Sequence, residues 1–274
     1  MNNLATGPAA AAAPALSVRD LRFAYRAGQP VLRGLDFDLP RGRIVGFLGP
    51  NGSGKSTTVK ILSGMLPGYE GEVRSLGLDP ATQAIEIKRR MGYVPESAVL
   101  FEHLRVAEHL LLTGRLHGLE DEVIIERGEA LLAGFGLLER LMSKCGSLSK
   151  GMRQKLLFCS ALLHRPELLF VDEPLSGLDV DATVLVKEVL RGLADRGLSV
   201  FYCSHVLDVV ERVCDEVLIL HEGVVCARGT IEELEQRSGE STLEEVFRSL
   251  TGSRDVAEQA ERILDVAAFR EQRL

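Results

Sequence analysis

Apolar positions recur at every second residue near the start of the chain. The pattern runs from residue 16 to residue 39, as at Leu21, Phe23 and Tyr25. A period of two is typical of strands with one buried face, so this stretch predicts antiparallel strands that cover one edge of a core. Residues 28–30, Gly-Gln-Pro, predict the turn between them.

Three later segments are apolar at almost every position and end in polar residues. They span residues 44–48, 168–171 and 200–203, and helical patterns separate them. Such short apolar runs are typical of a parallel sheet buried on both faces, so the sequence predicts an α/β fold. Because ligands bind beyond the carboxyl ends of the strands in such sheets, the side chains after the three runs are expected to meet at one rim. These side chains are Lys55, Asp172, Glu173 and His205.

The chain is predicted to divide into a leader, a main domain and a helical extension. Residues 1–15 are rich in Ala and Pro and lack the basic and long apolar regions of a signal peptide, so they predict a flexible leader. Residues 16–234 are predicted as the main domain, with an inserted helical subdomain at about 97–163. Residues 235–274 are predicted as a C-terminal helical extension.

The last part of the sequence predicts a helix, a hairpin and further helices. The hairpin follows from two apolar runs around a Gly-containing turn, and two of the helices begin with the spacing of a capping box. In order, these elements are a helix from about residue 206, strands at 217–220 and 224–227, helix starts at Thr230 and Thr242, and an amphipathic helix over 252–274.

Composition excludes several classes of protein. A chain of 274 residues with 46% hydrophobic residues can build a full core, and its net charge of −7 argues against a general nucleic-acid or anionic-membrane surface. The five cysteines are odd in number and form no CxxC pair, which argues against a disulfide framework or a zinc site and favours a reducing cytoplasm. No apolar run approaches the ~20 residues that span a bilayer, so we expect a soluble chain.

A glycine-rich loop, GPNGSGKST, lies between the first apolar run and a predicted helix. Glycines allow backbone N–H groups to turn toward a polyphosphate, and the helix directs the positive end of its dipole at the same anion. The flanking strand and helix disfavour the alternative, a chance Gly-rich turn. Lys55 is placed to reach the β and γ phosphates, and the Ser56 hydroxyl is placed to bind Mg²⁺. We therefore predict nucleotide binding by Gly49, Pro50, Asn51, Gly52, Ser53, Gly54, Lys55, Ser56 and Thr57.

Two acidic residues and a histidine follow the other two runs. Asp172 and Glu173 could simply end a buried strand in polar residues, and an isolated histidine is more often structural than catalytic. A phosphate loop on a neighbouring strand favours a functional interpretation instead. Asp172 is then placed to hold Mg²⁺ through water, and Glu173 to orient or deprotonate the attacking water. His205 is placed to contact the γ-phosphate.

Six short motifs follow one another along the chain. They are GPNGSGKST at Gly49, MGYVPES at Met91, LSKGMRQ at Leu148, LLFVDEP at Leu168, SGLD at Ser176 and SH at Ser204. Over about residues 16–234 this set resembles the nucleotide-binding subunit of an ABC transporter. The segment STLEEVFRSLTG at 241–252 and the sequence SKGMRQ resemble ABC-2 type exporter ATPases in particular. The resemblance implies a P-loop NTPase (RecA-like) core with a mostly parallel sheet, an antiparallel β edge subdomain and an inserted helical subdomain.

The resemblance also implies a head-to-tail dimer that binds ATP with Mg²⁺. Each ATP would lie between the phosphate loop of one subunit and the LSKGM signature of the other, where Ser149 and the backbone of Gly151 would meet the γ-phosphate. Ser149 would act at the same time as a helix N-cap. Asp179 would belong to the loop that links the two sites. Tyr25, by itself an ordinary strand aromatic, would stack on adenine.

Three residues depart from the commonest pattern of the family. Lys150 and Met152 replace the third and fifth residues of LSGGQ, while Gly151 still allows close approach of the backbone to a phosphate. We expect Lys150 to add positive charge near the triphosphate. Glu96 stands where many relatives have a glutamine that contacts Mg²⁺ and senses the membrane partner. A carboxylate there keeps the oxygen ligand and adds charge.

Together these inferences predict an ATPase subunit that energises transport, expected to be export, through a separate integral-membrane permease. Its partners would be that permease and a second copy of itself or a related ATPase subunit, and no nucleic acid is expected. The chain would be cytoplasmic, held at the inner face of the cell membrane by the permease.

Two alternative functions fit part of the same sequence. The first is an ABC ATPase that acts on nucleic acid or ribosomes without a permease, which the single cassette and the acidic balance of charge disfavour. The second is a regulatory module that binds ATP without turnover. The presence of Lys55, Asp172, Glu173 and His205 together disfavours it, because a degenerate site is expected to lose at least one of them.

Overall fold

The structure is a computed structural model that describes residues 13–97, 99–175, 177–252 and 262–264. Within these residues the strands are β1 (Leu16–Arg26), β2 (Gln29–Leu39), β3 (Ile44–Leu48), β4 (Glu70–Ser75), β5 (Met91–Val94), β6 (Leu168–Asp172), β7 (Ser199–Ser204), β8 (Glu216–His221) and β9 (Val224–Gly229). The helices are α1 (Lys55–Leu62), α2 (Ala84–Arg90), α3 (Val106–Leu116), α4 (Asp121–Gly134), α5 (Lys150–Leu162), α6 (Val180–Ala194), α7 (Leu207–Val213), α8 (Ile231–Ser238) and α9 (Leu243–Thr251).

A six-stranded sheet with the order β5-β6-β7-β3-β8-β9 forms the centre of the protein. The first five strands pair in parallel, and β9 pairs antiparallel with β8. Every residue of β3, β6 and β7 is buried, as continuous apolar runs require in a sheet covered on both faces. The predicted α/β class with a mostly parallel sheet is confirmed, although the sequence analysis did not predict the short edge strand β5.

A second sheet, with the order β2-β1-β4, is antiparallel throughout. The antiparallel subdomain predicted from the alternating pattern is confirmed, and the predicted turn is present at Gly28 but is shorter than residues 28–30. The two strands are joined by Ala27 and Gly28 alone, and Gly28 has a φ of +77° that favours glycine. Pro30 belongs to β2, paired with Ala24. A proline is tolerated there because β2 is an edge strand, where a missing N–H breaks few ladder bonds.

Apolar side chains form one cluster on each face of the six-stranded sheet. On one face, Phe37 of β2 packs against Phe47 of β3 and Phe201 of β7, with ring centroids 5.9 and 5.7 Å away. On the other face, the strands pack against helices that include α5, α6 and α7. The sheet is therefore enclosed on both faces, and the loops at its carboxyl edge are where a ligand can reach it.

The segment predicted as a helical insertion contains α3, α4 and α5. Helix α4 ends at Gly134, and Gly136 adopts a φ of +69° that favours glycine. A 3₁₀ turn over Leu138–Arg140 follows. The domain boundaries themselves stay a prediction.

The predicted elements after residue 205 are present in the order expected. The hairpin β8–β9 is antiparallel, Thr230 caps α8 in a capping box with Glu233, and Thr242 caps α9. The predicted amphipathic helix over 252–274 falls outside the described residues except for Gly252 and 262–264, and most of the predicted leader also falls outside them. No helix in the described part of the chain combines the length and the apolar character needed to cross a membrane.

Candidate functional site

A polar cavity of about 340 Å³ lies at the carboxyl edge of the six-stranded sheet. Lys55 reaches it from the start of α1. Asp172 and Glu173 reach it from the end of β6, and His205 from the end of β7. The structure thus brings together the four side chains that the sequence analysis placed at one rim. The cavity wall comprises Val31, Asn51, Gly52, Gly54, Lys55, Ser56, Thr57, Glu96, Asp172, Glu173 and His205.

The glycine-rich loop has the backbone that its sequence predicts. Gly52 and Gly54 have φ values of +81° and +112°, which side chains other than hydrogen strongly disfavour. A Cβ atom at Gly49 would collide with the carbonyl oxygen of Leu220, so this position also requires glycine. In the described part of the chain no side chain caps α1, whose N-cap is Gly54, so the first N–H groups of the helix can serve an anion in the cavity.

The Lys55 ammonium group lies over the same loop. Its Nζ atom donates to the carbonyl oxygens of Gly49 at 2.6 Å and Pro50 at 3.2 Å. Of the nine residues predicted to bind nucleotide, six line the cavity wall. Gly49, Pro50 and Ser53 belong to the same loop but do not line the wall. Carbonyl partners can be exchanged for phosphate oxygens, which bind an ammonium group more strongly because they carry charge.

Glu173 is the most tightly held carboxylate of the site. The Ser204 hydroxyl donates to its Oε2 atom at 3.0 Å, and Nδ1 of His205 lies 2.6 Å from its Oε1 atom. The side chain of Glu173 is 11% exposed and that of His205 is 64% exposed. Glu173 also has a φ of +46°, a left-handed conformation that costs about 1 kcal/mol for a residue with a side chain. The contacts to β7 hold it in this conformation, with the carboxylate directed into the cavity.

Two residues of the site, Ser204 and Val31, were not predicted from the sequence. Ser204 ends β7, and its hydroxyl both donates to Glu173 and accepts from the backbone N–H of Val206 at 3.0 Å. The signal was present, because Ser204 precedes His205 in a motif at a strand end. Val31 lines the cavity from β2, and nothing in its local sequence distinguishes it from other strand residues.

The carboxylates at one side of the cavity are only partly balanced by nearby lysines. Burial raises the pKa of Asp172, and the nearby carboxylates of Glu173 and Glu96 raise it further, while Lys55 and Lys60 oppose this. Carboxylate oxygens together with the Ser56 hydroxyl are ligands that suit Mg²⁺. In the described residues no group of three or more His, Cys, Asp or Glu side chains could hold a metal by itself. This donor set fits a Mg²⁺ ion that is shared with phosphate oxygens.

Tyr25 lies beside the loop and outside the cavity wall. Its hydroxyl is 3.3 Å from Oγ1 of Thr57, and its ring packs edge-to-face on Phe23 with 4.9 Å between centroids. The side chain is 57% exposed. The ring is thus available to a flat group that extends past the end of the loop.

The structure does not bring Ser149, Gly151 or Asp179 into this cavity. Ser149 caps α5, its Oγ accepting from the N–H of Met152 at 3.3 Å, and Asp179 caps α6, its carboxylate accepting from the N–H of Ala182 at 2.7 Å. Both residues are exposed. They form a separate polar surface at two helix N-termini.

A larger, mostly apolar cavity of about 690 Å³ lies at the opposite edge of the sheet, between α4 and α6. Its only carboxylate among the described lining residues is Glu167, which accepts hydrogen bonds from Arg41 at 3.0 Å and Arg90 at 2.7 Å. A carboxylate neutralised by two guanidinium groups has little capacity for acid or base chemistry. The smaller polar cavity is therefore the candidate site.

Comparison with known proteins gives consistent matches. The family model described as "ABC transporter" matches residues 32–176. The ABC-type transporter ATP-binding protein EcsA of Bacillus subtilis is 37% identical over 238 residues, which cover 86% of this chain and 96% of that protein. The Nod factor export ATP-binding protein I of Ralstonia nicotianae is 36% identical over 228 residues, which cover 83% and 71%. A solved structure of an ATP-binding subunit of an ABC transporter has a TM-score of 0.80 and 35% identity, covering 86% of this chain and 98% of that one.

Proposed function

This chain belongs to the ABC transporter family as an ATP-binding subunit, with relatives among export ATPases of the ABC-2 type, and on that premise we propose that it hydrolyses ATP with Mg²⁺ to drive export through a separate permease. The observation that supports this most directly is the fixed Glu173 carboxylate in the cavity that also holds Lys55. A site that only binds nucleotide has no need of a carboxylate held in a strained conformation.

The chemistry follows from the residues around the cavity. The triphosphate lies in the loop of residues 49–57, and Lys55 exchanges its carbonyl partners for the β and γ phosphates. Mg²⁺, when bound by Ser56 and Asp172 with Glu96 nearby, supplies positive charge to the phosphate oxygens. These groups position the γ-phosphate for in-line attack by water.

Glu173 and His205 act on the attacking water and the phosphate. Glu173 accepts a proton from the water as the water oxygen bonds to the γ-phosphorus and the bond from that phosphorus to the bridging oxygen breaks. ADP leaves with the electron pair of the broken bond, and inorganic phosphate is the second product. His205 has its Nδ1 atom on Glu173, so we assign its Nε2 atom to the γ-phosphate. Tyr25 is assigned to adenine.

We propose that the surface of Ser149, Gly151 and Asp179 completes the ATP site of a second copy or a related subunit. This surface presents the N-terminus of the 13-residue helix α5, whose dipole favours an anion. Ser149 and Asp179 are exposed in the single chain, as residues that await a partner would be. Closure of two chains around ATP, and reopening after phosphate leaves, would supply the motion that drives transport.

We propose the loop after Glu96 as the docking site of the permease. Val99 and Phe101 in this loop are 82% and 60% exposed, an unusual degree of exposure for neighbouring large apolar side chains. The loop lies between β5 of the sheet and α3 of the helical insertion, so a permease segment bound there would follow relative movement of the two. This arrangement would hold the chain at the cytoplasmic face of the membrane.

Phosphate release by the purified chain tests the enzymatic part of the proposal. We expect release with ATP and Mg²⁺, its loss on adding EDTA, and its recovery with excess Mg²⁺. Lys55→Ala should abolish it, whereas Lys88→Ala, a matched change at an exposed position of α2 outside the cavity, should keep most of it. Release that survives EDTA, or that survives Lys55→Ala, would contradict the proposal.

Copurification tests the partner. The tagged chain, isolated from detergent-solubilised membranes, should bring down an integral-membrane protein. Recovery of ribosomes or nucleic acid in its place would favour the soluble ABC ATPase instead.

A further inference from the structure

The apolar cavity of about 690 Å³ is walled by side chains from three helices. Leu131 comes from α4, Leu162 from α5 and Val189 from α6. These side chains pack against the main apolar cluster and are only partly buried, so apolar surface faces the cavity. Cavities of about 300–1,000 Å³ are large enough to bury most of a small organic ligand. This cavity can therefore cover an apolar chain.

Three arginines line the same cavity, each from a different segment of the chain. Arg127 is on α4, Arg165 lies between α5 and β6, and Arg196 lies between α6 and β7. Arg127 donates to the carbonyl oxygen of Leu163 at 3.3 Å, and Arg196 donates to that of Gly192. Within the described residues none of the three forms an ion pair with a carboxylate. Their guanidinium groups can therefore bind an anion without breaking an existing ion pair.

The carboxylate in the described lining of this cavity is already paired. Glu167 accepts hydrogen bonds from Arg90 at 2.7 and 3.0 Å and from Arg41 at 3.0 Å. The hydrogen bond from Arg90, helped by Arg41, holds the pKa of Glu167 below its usual range, so this carboxylate stays ionised and paired. Three arginines against one glutamate make the lining net positive, in a chain whose overall charge is −7.

We propose that this cavity binds a fatty-acid anion, with the acyl chain against α4, α5 and α6 and the carboxylate on the three arginines. Guanidinium groups suit a carboxylate because two N–H groups can donate to it in parallel. Each methylene group that leaves water strengthens binding by up to about fourfold. A small inorganic anion would leave the apolar wall uncovered, and a neutral apolar molecule would leave the arginines without a partner. This site is separate from the ATP cavity, and the proposal goes beyond the ATPase function.

The position of the cavity favours a free fatty acid over a lipid within the bilayer. Glu167 and Leu198, which line it, directly precede β6 and β7 and so lie at the amino edge of the parallel sheet. The loop proposed to meet the permease follows Glu96, beyond the carboxyl end of β5. The cavity thus lies on the edge away from the proposed membrane contact.

Calorimetry on the purified chain without nucleotide tests the proposal. The probe is decanoate below the concentration at which it forms micelles, and decanol is the matched probe without charge. We expect decanoate to bind at one site and decanol to bind at least about tenfold more weakly, the ratio that one charge-assisted hydrogen bond supplies. Hexanoate should also bind at least about tenfold more weakly, because it lacks four methylene groups. Failure of decanoate to bind, or equal binding of decanoate and either control, overturns the proposal.

Removal of the arginine charges tests the polar half of the site. The triple variant should bind decanoate at least about tenfold more weakly and decanol unchanged. It carries Arg127→Gln, Arg165→Gln and Arg196→Gln. A matched control removes the same charge at exposed positions outside the cavity and should bind decanoate within about twofold of the parent chain. It carries Arg140→Gln, Arg212→Gln and Arg237→Gln. Equal weakening in the two triple variants overturns the proposal, because general attraction of an anion would then explain the binding.

A larger side chain in the wall tests the apolar half. Val189→Trp should abolish binding of decanoate and decanol alike, and Leu193→Phe, a milder change in the same wall that tolerates folding better, should weaken both. Decanoate binding that survives in both folded variants overturns the proposal. A nucleotide-free dimer that Val189→Trp removes, in a chain that does not bind decanoate, would assign the cavity to a second copy and also overturns it. Because nucleotide is absent throughout, failure of the ATPase proposal would leave these outcomes unchanged.

Discussion

The two parts of the proposed ATP site are held in opposite ways. In the cavity, Asp172 and Glu173 are buried, and Glu173 is fixed by two partners from a neighbouring strand. On the surface of Ser149, Gly151 and Asp179, here called the signature surface, Ser149 and Asp179 are exposed. Buried charged groups are costly without a ligand, and exposed helix N-termini are open to one. We therefore expect ATP binding to depend on the cavity of one chain and turnover to need the signature surface of another.

The largest effect is expected from Glu173→Gln. The amide keeps the size of the side chain but cannot accept a proton from water, so kcat should fall about 10²- to 10⁴-fold while ATP still binds. Phosphate release measures the fall, and size-exclusion chromatography with ATP should show an accumulated dimer. A Glu173→Gln chain that stays monomeric and turns over normally would show that Glu173 is not the general base.

A smaller effect is expected from Asp172→Asn, with opposite signs for activity and stability. Loss of a charged ligand should reduce turnover and raise the Mg²⁺ concentration needed for half-maximal rate. The pKa of Asp172 is raised in the folded chain, so its ionised form destabilises the nucleotide-free fold at neutral pH, and the variant should unfold at a higher temperature. Thermal unfolding in EDTA measures this, and an unchanged or lower midpoint would mean that the carboxylates do not repel one another as the structure indicates.

The sequence predicted which side chains line the cavity but not how they are held there. The first depends on strand ends, which are local features of the sequence. Each of β3, β6 and β7 is an apolar run followed at once by polar residues, so the rim could be derived one strand at a time. The left-handed Glu173 and its bond to Ser204 depend on how β6 lies beside β7, which no local pattern contains. The same holds for the close approach of the Lys150 side chain, at the start of α5, to Gly177.

Two strands, β4 and β5, were not predicted from the sequence, and their residues give the reason. Met91–Val94 has only four residues, one of them glycine, and Glu70–Ser75 is mostly exposed and polar, with buried side chains only at Val73 and Ser75. Both are held by pairing with longer neighbours, β6 and β1. Propensity and period are weak guides for such strands because the neighbour supplies most of the stability.

The signature surface is probed by Gly151→Ala. The new Cβ would lie 3.1 Å from the Gly177 carbonyl oxygen, closer than ordinary contact, and would crowd a phosphate that approaches the backbone. We expect turnover to fall roughly tenfold and the ATP-dependent dimer to weaken, because positioning errors at a reacting group are costly.

ATP affinity of the single chain should change little in this variant, because Gly151 is not in the cavity wall. Calorimetry on Glu173→Gln chains at concentrations below dimer formation, with and without Gly151→Ala, measures this directly. Equal loss of affinity in Gly151→Ala and Lys55→Ala would show that the two parts of the site are not separable.

The smallest effect is expected from Tyr25, which lies neither in the cavity wall nor on the signature surface. Its ring is exposed and touches the phosphate loop only through the hydroxyl beside Thr57, so it can add a stacking contact to a base without affecting the chemistry. Tyr25→Ala should raise KM for ATP by about three- to tenfold, corresponding to a stacking contact of about 0.5–1.5 kcal/mol, and leave kcat nearly unchanged. Tyr25→Phe separates the two contacts, since it keeps the ring and removes the hydroxyl, and it should behave like the unmodified chain. If Tyr25→Phe raised KM as much as Tyr25→Ala, the hydroxyl and its position on Thr57 would be what the loop requires, and Tyr25 would belong to the phosphate site after all.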